Sequence, residues 1–243
     1  MSGALRGRKV VVIGGSSGIG LALAAAALAD GAEVVVGSSG LGHVQAAVER
    51  LGAAASGHGV DVRDEADVAR FFDRVGDFDH LAFTAGDWGG RGARDLADTD
   101  LARAAELFAV RFWGALAAVK HGVKAIRPGG SIVLTNGMIA HRPRQGTPIS
   151  TAMAGAIEHL TRGLAVDLAP VRVNAVCPGM IRTDVWNSIP QESRESRFGE
   201  MTRRQPLARI GEPAEVAEAY LYLMRAGYTT GQVLLVDGGG SVV

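Results

Sequence analysis

Short apolar runs alternate along the chain with longer segments in which apolar residues recur at helical spacing. The runs lie at residues 9–13, 33–37, 80–84, 131–135, 171–176 and 232–236. A strand that is apolar at successive positions must be covered on both faces, so these runs predict the inner strands of a parallel sheet.

The segments between the runs predict helices at about 18–29, 41–51, 64–75, 101–126, 148–168 and 213–225. In "DVRDEADVARFF", Asp64 is placed to cap a helix on which Val68, Phe71 and Phe72 share one face. The alternation predicts an α/β fold: a Rossmann-type doubly wound parallel sheet of about seven strands, with helices on both faces. No change in composition divides residues 1–243, so we expect one domain.

Charge and cysteine content narrow the function classes. Lys plus Arg number 25 and Asp plus Glu number 25, which disfavours a nucleic-acid or membrane-surface partner. The apolar stretch near the N-terminus is interrupted by "GGSSGIG" and is too short to span a bilayer. Cys177 is the sole cysteine, which excludes an intrachain disulfide and a cysteine-type zinc site. We expect a soluble, cytoplasmic protein without a bound metal.

A glycine-rich loop joins the first predicted strand to the first predicted helix. In "VVVIGGSSGIGLALA", Gly14, Gly18 and Gly20 permit close approach of the backbone to a pyrophosphate, toward which the helix directs its positive end. The position between strand and helix favours a dinucleotide site over a tight turn without a ligand.

Further motifs are spread over nearly the whole chain. They are "GVDV" around Asp61, "FTAG" at 83–86, "CPGMIRT" at 177–183, "GEPAEVAEAYLYL" and "TTGQVLLVDGG". With the glycine loop, they resemble motifs of the short-chain dehydrogenase/reductase family, although Ile13 replaces the first threonine of the family's glycine motif.

The resemblance implies a nicotinamide cofactor and a small-molecule substrate. It places the cofactor against Gly14, Ser16, Ser17, Gly18, Ile19, Gly20, Ser38, Ser39, Asp61, Val62, Thr84, Ala85, Gly86, Pro178, Gly179, Ile181 and Thr183. An acidic residue after the second strand would select NAD, but the chain has Ser38 and Ser39 there, which favours NADP. NAD stays open because no arginine adjoins these serines in the sequence and Ser17 stands where NADP-using relatives often have a basic residue.

The family's catalytic tetrad is absent from this chain. In the register set by "GGSIVLTNG" and "IEHLTRGLAVDLAPVRVN", its Asn, Ser, Tyr and Lys fall on Arg111, Gly137, Ser150 and Ala154. The serine hydroxyl of Ser150 is a poor acid near neutral pH. No tyrosine occurs between residues 1 and 219, so a shift in register does not restore the missing acid.

Two residues are candidates to compensate, and two more are placed near the site. Arg111 is expected to enter the space left by Ala154 and to orient or stabilise an oxygen, although it could not supply a proton; alternatively it fills space or pairs with Glu106. His141 follows the fifth strand and is a candidate acid or base, or simply an exposed histidine. Asp87 and Trp88 are expected to line the mouth of the site or to lie on the surface.

Three functions remain open at this point. The first is an NAD(P)-dependent oxidoreductase with non-standard proton delivery, acting on a carbonyl, enone or quinone-like substrate. The second is a catalytically inactive nucleotide-binding or regulatory protein, and the third is a non-redox enzyme using the same cavity.

Two structural expectations accompany these functions. The interrupted polar stretch at 184–206 is a possible lid or a plain surface excursion. The resemblance implies a homodimer or homotetramer built through the helices at 101–126 and 148–168 and through the final strand.

Overall fold

The computed structural model describes residues 4–86 and 96–243. Seven strands form one parallel sheet in the order β3-β2-β1-β4-β5-β6-β7. They are β1 (Lys9–Ile13), β2 (Glu33–Ser38), β3 (Ala55–Gly59), β4 (Phe78–Phe83), β5 (Ile126–Thr135), β6 (Arg172–Pro178) and β7 (Val233–Val236). The predicted doubly wound sheet is confirmed.

Helices cover both faces of this sheet. They are α1 (Gly18–Ala29), α2 (Leu41–Leu51), α3 (Glu65–Val75), α4 (Leu101–Phe108), α5 (Ala115–Gly122), α6 (Pro148–Asp167), α7 (Gln191–Thr202) and α8 (Pro213–Arg225). None of the helices within the described ranges is long and apolar enough to cross a bilayer.

Two apolar cores show why the strands are apolar at successive positions. Val11 and Ile13 of β1 belong to the core shared with α3, α5 and α6. Val10 and Val12 of the same strand point to the other core, which includes residues of α1 and α8. Each side chain of the strand is therefore removed from water, irrespective of the face on which it lies.

The predicted N-terminus of α3 matches the structure closely. Asp64 is the N-cap, and its carboxylate accepts a hydrogen bond of 2.9 Å from the amide of Ala66. Val68, Phe71 and Phe72 are buried on the face of α3 that packs on the sheet. The helix therefore starts at the position that the capping residue and the spacing of the apolar residues both predicted.

Strand β3 and the helix predicted at 101–126 both differ from the sequence pattern. Strand β3, "ASGHG", is absent from the apolar runs because it is an edge strand whose residues remain partly exposed. The single helix expected at 101–126 is wrong: a π-helical turn at Ala109–Gly114 separates α4 from α5, and β5 already begins at Ile126. A π turn is short and rare, and the apolar spacing over 101–126 did not distinguish it from a continuous α-helix.

Candidate active site

A cleft of about 950 Å³ runs along the carboxyl edge of the sheet. Its wall is formed by the ends of β1 to β6 and the segments that follow them, on both sides of the point where the order of strands reverses. Ligands of open α/β sheets bind in this position, because loops diverge there and leave a crevice.

The glycine loop forms the floor of the cleft. Gly14 has φ +89°, and a Cβ built on it would lie 2.7 Å from Cα of Ala85. Gly18 has φ +51°, and its Cβ would lie 3.3 Å from Cγ2 of Thr183. Helix α1 begins at Gly18, and its N-cap Ser17 makes no side-chain capping bond. The first amides of α1 are therefore left for an anion such as a pyrophosphate.

Every residue that the sequence assigned to the cofactor lies on the wall of this cleft. The set comprises Gly14, Ser16, Ser17, Gly18, Ile19, Gly20, Ser38, Ser39, Asp61, Val62, Thr84, Ala85, Gly86, Pro178, Gly179, Ile181 and Thr183. Residues from five strand ends, far apart in the sequence, are thus brought together.

At the end of the cleft beside β2 and β3, serines and one ion pair face the opening. The hydroxyl of Ser16 donates to Oγ of Ser38 at 2.9 Å. Arg63 binds Asp61 through two guanidinium nitrogens, at 2.9 and 2.7 Å. These hydrogen bonds from Arg63 hold the pKa of Asp61 below its usual value. Sequence reasoning missed Arg63, whose only signal was its position two residues after Asp61.

None of the four tetrad positions lies on the cleft wall. Gly137 and Ala154 are buried and Ser150 is half-buried. Arg111 is 5% exposed, in the π turn. The segments around these positions reach the cleft through other residues, namely Val110, Thr135, Met138, Ile139 and Thr147.

The guanidinium of Arg111 lies directly behind the cleft wall. A Cβ built on Gly86 would lie 2.7 Å from Cζ of Arg111, so glycine at this position makes room for the cation. Burial raises the pKa of Tyr220, and the positive charge of Arg111 acts in the opposite direction. Arg111 is therefore a buried cation that is separated from the cleft only by Gly86, just after the carboxyl end of β4.

His141 faces a different cavity. Its Nε2 lies 2.6 Å from Oε1 of Glu158, and the amide of Asn136 donates to the same oxygen at 2.8 Å. His141 and Glu158 line a cavity of about 500 Å³ beside β7, together with Arg162 and Gln232. The imidazole is thus held by a carboxylate outside the cleft in which the cofactor residues converge.

The cleft wall offers little acid or base chemistry. Over the described residues, it contains no tyrosine, lysine, histidine or cysteine. The hydroxyl of Thr135 lies 2.6 Å from that of Tyr220 and donates to the carbonyl of Phe83 at 2.5 Å. The hydroxyl of Thr147 donates to the carbonyl of Arg144 at 2.7 Å. Asp87 and Trp88 lie outside the described residues.

The segment at 184–206 forms one side of the cleft. It contains a short 3-10 turn, Asp184–Trp186, and helix α7, which the sequence pattern did not predict. Trp186 donates to the carbonyl of Ile181 at 2.9 Å, and its ring meets that of Phe198 edge to face, with centroids 5.2 Å apart. These contacts attach α7 to the residues after β6.

No group of three or more His, Cys, Asp or Glu side chains that could hold a metal occurs among residues 4–86 and 96–243.

Comparison with known proteins gives the family. Residues 13–241 match the family described as Enoyl-(Acyl carrier protein) reductase. The short-chain dehydrogenase/reductase ATR9 of Stachybotrys chlorohalonatus is 32% identical, over 97% of this chain and 97% of its own length. The chain belongs to the short-chain dehydrogenase/reductase family. It is thus a member of a family of nicotinamide-dependent oxidoreductases.

Two solved structures show the same likeness. A small-chain dehydrogenase in complex with NADPH is 32% identical with a TM-score of 0.83, covering 97% of this chain and 99% of its own. The MalC Reductase/Diels-Alderase of Malbranchea aurantiaca is 30% identical with a TM-score of 0.92, covering 99% of both chains. The glycine cradle, which has no room for side chains at Gly14 and Gly20, fits the nicotinamide dinucleotide that this family binds.

Proposed function

We propose that this protein is an NADP(H)-linked reductase that transfers a hydride without a protein tyrosine as proton donor. One observation carries the proposal: the cleft lined by the residues assigned to the cofactor from the sequence has no tyrosine, lysine or histidine on its described wall. Such a site suits an acceptor whose reduced product is already a stabilised anion, for example an enone or a quinone.

The chain's own residues bind and orient in this mechanism. When bound, the nicotinamide supplies the hydride. The loop from Gly14 to Gly20 and the start of α1 would hold the pyrophosphate, and Thr183 would contact the nicotinamide end. Solvent or the substrate itself is favoured as the proton source over His141, because that imidazole is paired with Glu158 in the other cavity.

A preference for NADP over NAD is supported by the end of the cleft beside β2. Ser38 and Ser39 bring hydroxyls and no carboxylate to the position where a ribose 2′-phosphate would lie. Arg63, on the same wall, adds a guanidinium within the cleft. A related protein of known structure was solved with NADPH, which agrees with this preference.

The cofactor proposal is tested by titrating the protein with NADPH and NADH while following tryptophan fluorescence, since Trp186 lines the cleft. We expect tighter binding of NADPH. In Ser38→Asp, repulsion of the 2′-phosphate should lower the affinity for NADPH by about 10-fold and leave the affinity for NADH unchanged. The matched control is Ser193→Asp, an exposed position off the cleft wall. Failure of both cofactors to bind would refute the proposed function.

Arg111 is proposed to orient the cofactor ribose or a substrate oxygen from its position against the backbone of Gly86, which lies on the cleft wall. Arg111→Gln should weaken NADPH or acceptor binding about 10-fold, because a fixed cation is lost from a buried position. Urea unfolding of the same variant separates this effect from lost stability, and Arg103→Gln, exposed on α4, is the control. Unchanged binding in Arg111→Gln would contradict this role and would mean that the guanidinium only fills space.

A non-redox reaction in the same cavity is the second candidate. A relative that shares this fold over 99% of both chains is described as both a reductase and a Diels-Alderase. An inactive nucleotide-binding protein is the third candidate, motivated by the replacement of all four tetrad residues. Single-turnover oxidation of NADPH with a quinone acceptor separates the reductase from both of these.

Assembly as a homodimer or homotetramer is proposed from the apolar side chains that the single chain leaves exposed. Trp113 in the π turn is 60% exposed, Val166 on α6 is 82% exposed and Leu235 on β7 is 36% exposed. These positions fall on the helices and the final strand expected to form the interfaces. A monomer in sedimentation velocity would contradict this assembly.

The buried single thiol of Cys177 agrees with a reducing, cytoplasmic location.

A further inference from the structure

Charge is distributed unevenly between the two ends of the cleft. At the end beside β3, the carboxylate of Asp61 is matched by Arg63. At the end beside β5 and β6, three arginines line the wall: Arg142 and Arg144 from the loop between β5 and α6, and Arg197 from α7. We call these the cleft arginines.

One described carboxylate accompanies the cleft arginines on this part of the wall. It is Asp184, and its Oδ1 accepts a hydrogen bond of 3.1 Å from the amide of Asn187. Three cations against one anion leave this end of the cleft with a positive charge. A low-dielectric crevice concentrates the field of such groups on whatever enters it.

The cleft arginines are too far from the 2′-phosphate position to serve it. Ser38 is the last residue of β2, whereas Arg142 follows β5, and the order β2-β1-β4-β5 separates the two strands by three strand spacings. The two strands are therefore about 14 Å apart. The positive end therefore faces the space beyond the cofactor, where a substrate would lie.

The guanidinium groups have capacity for a ligand. Nη1 of Arg142 donates to the carbonyl of Gly240 at 3.1 Å, which fixes the side chain and leaves its other nitrogens for further bonds. The side chains of Arg144 and Arg197 have no hydrogen-bond or ion-pair partner among the residues that the structure describes. The turn that carries Arg144 is closed by two bonds to Thr147.

Apolar side chains share this end of the cleft with the cleft arginines. They are Met138, Ile139, Val185, Trp186, Ile189 and Met201. A ligand that satisfies both kinds of surface has an apolar ring or chain and an anionic group. Guanidinium groups match the two oxygens of a carboxylate or a phosphate with paired hydrogen bonds.

We infer that the substrate of this cleft carries a carboxylate or phosphate group on an apolar body, and that Arg142, Arg144 and Arg197 bind that group. The inference rests on the proposed function in that it assigns the substrate class of the same cleft. The anionic group anchors the substrate, while the apolar wall holds the part that reacts.

The test compares three ligands that share one ring system: 2-naphthoate, the neutral 2-naphthamide and 2-naphthyl phosphate. Binding to the whole protein is measured by calorimetry, with and without NADP⁺. We expect at least one of the two anions to bind about 10-fold more tightly than the amide. The stronger anion identifies the group as carboxylate or phosphate. Raising the salt concentration should reduce the preference, because the cleft arginines are partly exposed.

The variants decide whether the cleft arginines are responsible. In the triple variant Arg142→Gln, Arg144→Gln and Arg197→Gln, we expect the preference for the anion to fall to near unity. Arg203→Gln, at an exposed position off the cleft wall, is the matched control and should retain the preference. If the triple variant folds poorly, the same binding comparison is made with the single variants Arg144→Gln and Arg197→Gln. Circular dichroism then checks that these single variants are folded.

Three results would overturn the inference. They are equal binding of the anions and the amide, a preference that survives in the triple variant, and a loss of NADP⁺ affinity in the variants without a change in the anion preference. The last result would assign the cleft arginines to the cofactor. Failure of the proposed function is a separate result: the protein would not bind NADPH, yet the anion preference and its loss in the variants would still be seen.

Discussion

Replacement of Gly14 by alanine is expected to lower the affinity for NADPH by at least about 100-fold. The residue has φ +89°, a conformation that costs a non-glycine residue about 1–2 kcal/mol. Its new Cβ would lie 2.7 Å from Cα of Ala85, a backbone atom that cannot rotate away. The ends of β1 and β4 would have to separate, and this moves the amides that face the pyrophosphate.

The matched control for this variant is Gly155→Ala on α6. No atom lies within 4 Å of a Cβ at Gly155, so alanine fits there and should stabilise the helix by about 0.5–1 kcal/mol. NADPH titration and urea unfolding of both variants separate the loss of binding from the loss of stability. If Gly14→Ala kept its NADPH affinity, the glycine loop could not be the pyrophosphate site.

The protein is expected to lose about 2 kcal/mol of stability between pH 7.5 and pH 5 through one buried histidine. His80 lies in β4, with Nδ1 2.9 Å from the hydroxyl of Ser131 on β5. Burial lowers its pKa from 6.5 to about 4. The imidazole therefore becomes protonated below about pH 6.5 in the unfolded chain, but only below about pH 4 in the folded chain. Between these pH values, acid favours unfolding.

Urea unfolding at pH 7.5 and pH 5 measures this effect. His80→Asn keeps a polar group beside Ser131 but does not titrate, so its stability should vary less between the two pH values by about 2 kcal/mol. His159→Gln removes an exposed imidazole on α6 and should retain the wild-type pH dependence. The neighbouring Asp79 does not obscure the result, because Lys9, Arg8 and Arg127 hold its pKa low despite burial. Equal pH dependence in the wild type and His80→Asn would contradict this assignment.

The proposed mechanism and the anion site make complementary demands on the substrate. A cleft wall whose described residues include no tyrosine, lysine or histidine favours an acceptor that needs no protein acid, while the cleft arginines favour an acceptor that carries a negative group. An anionic enone or quinone satisfies both demands. The two properties can be varied independently in a set of acceptors, so each one can fail without the other.

Local features of the sequence were sufficient to predict the scaffold and the glycine loop at the cleft. Strands such as β1 could be recognised because burial on both faces requires apolar residues at successive positions. The glycine loop could be recognised because φ +89° and a backbone contact at Gly14 require glycine whatever surrounds it. The capping residue Asp64 acts within two residues of its own position, so its effect is also local.

The composition of the other end of the cleft, which carries the cleft arginines, depended on contacts between distant segments. Arg197 lies on a helix that the sequence pattern did not predict, and Arg142 is held by Gly240, 98 residues away. His141 was placed near the cleft by its position after β5, but its bond to Glu158 holds it beside the other cavity. A polar side chain has no periodic signature that tells which cavity it faces. The sequence by itself determined the sheet and the glycine loop, whereas only the tertiary structure decided which charged residues share the cleft, because that depends on how loops from separate strands pack together.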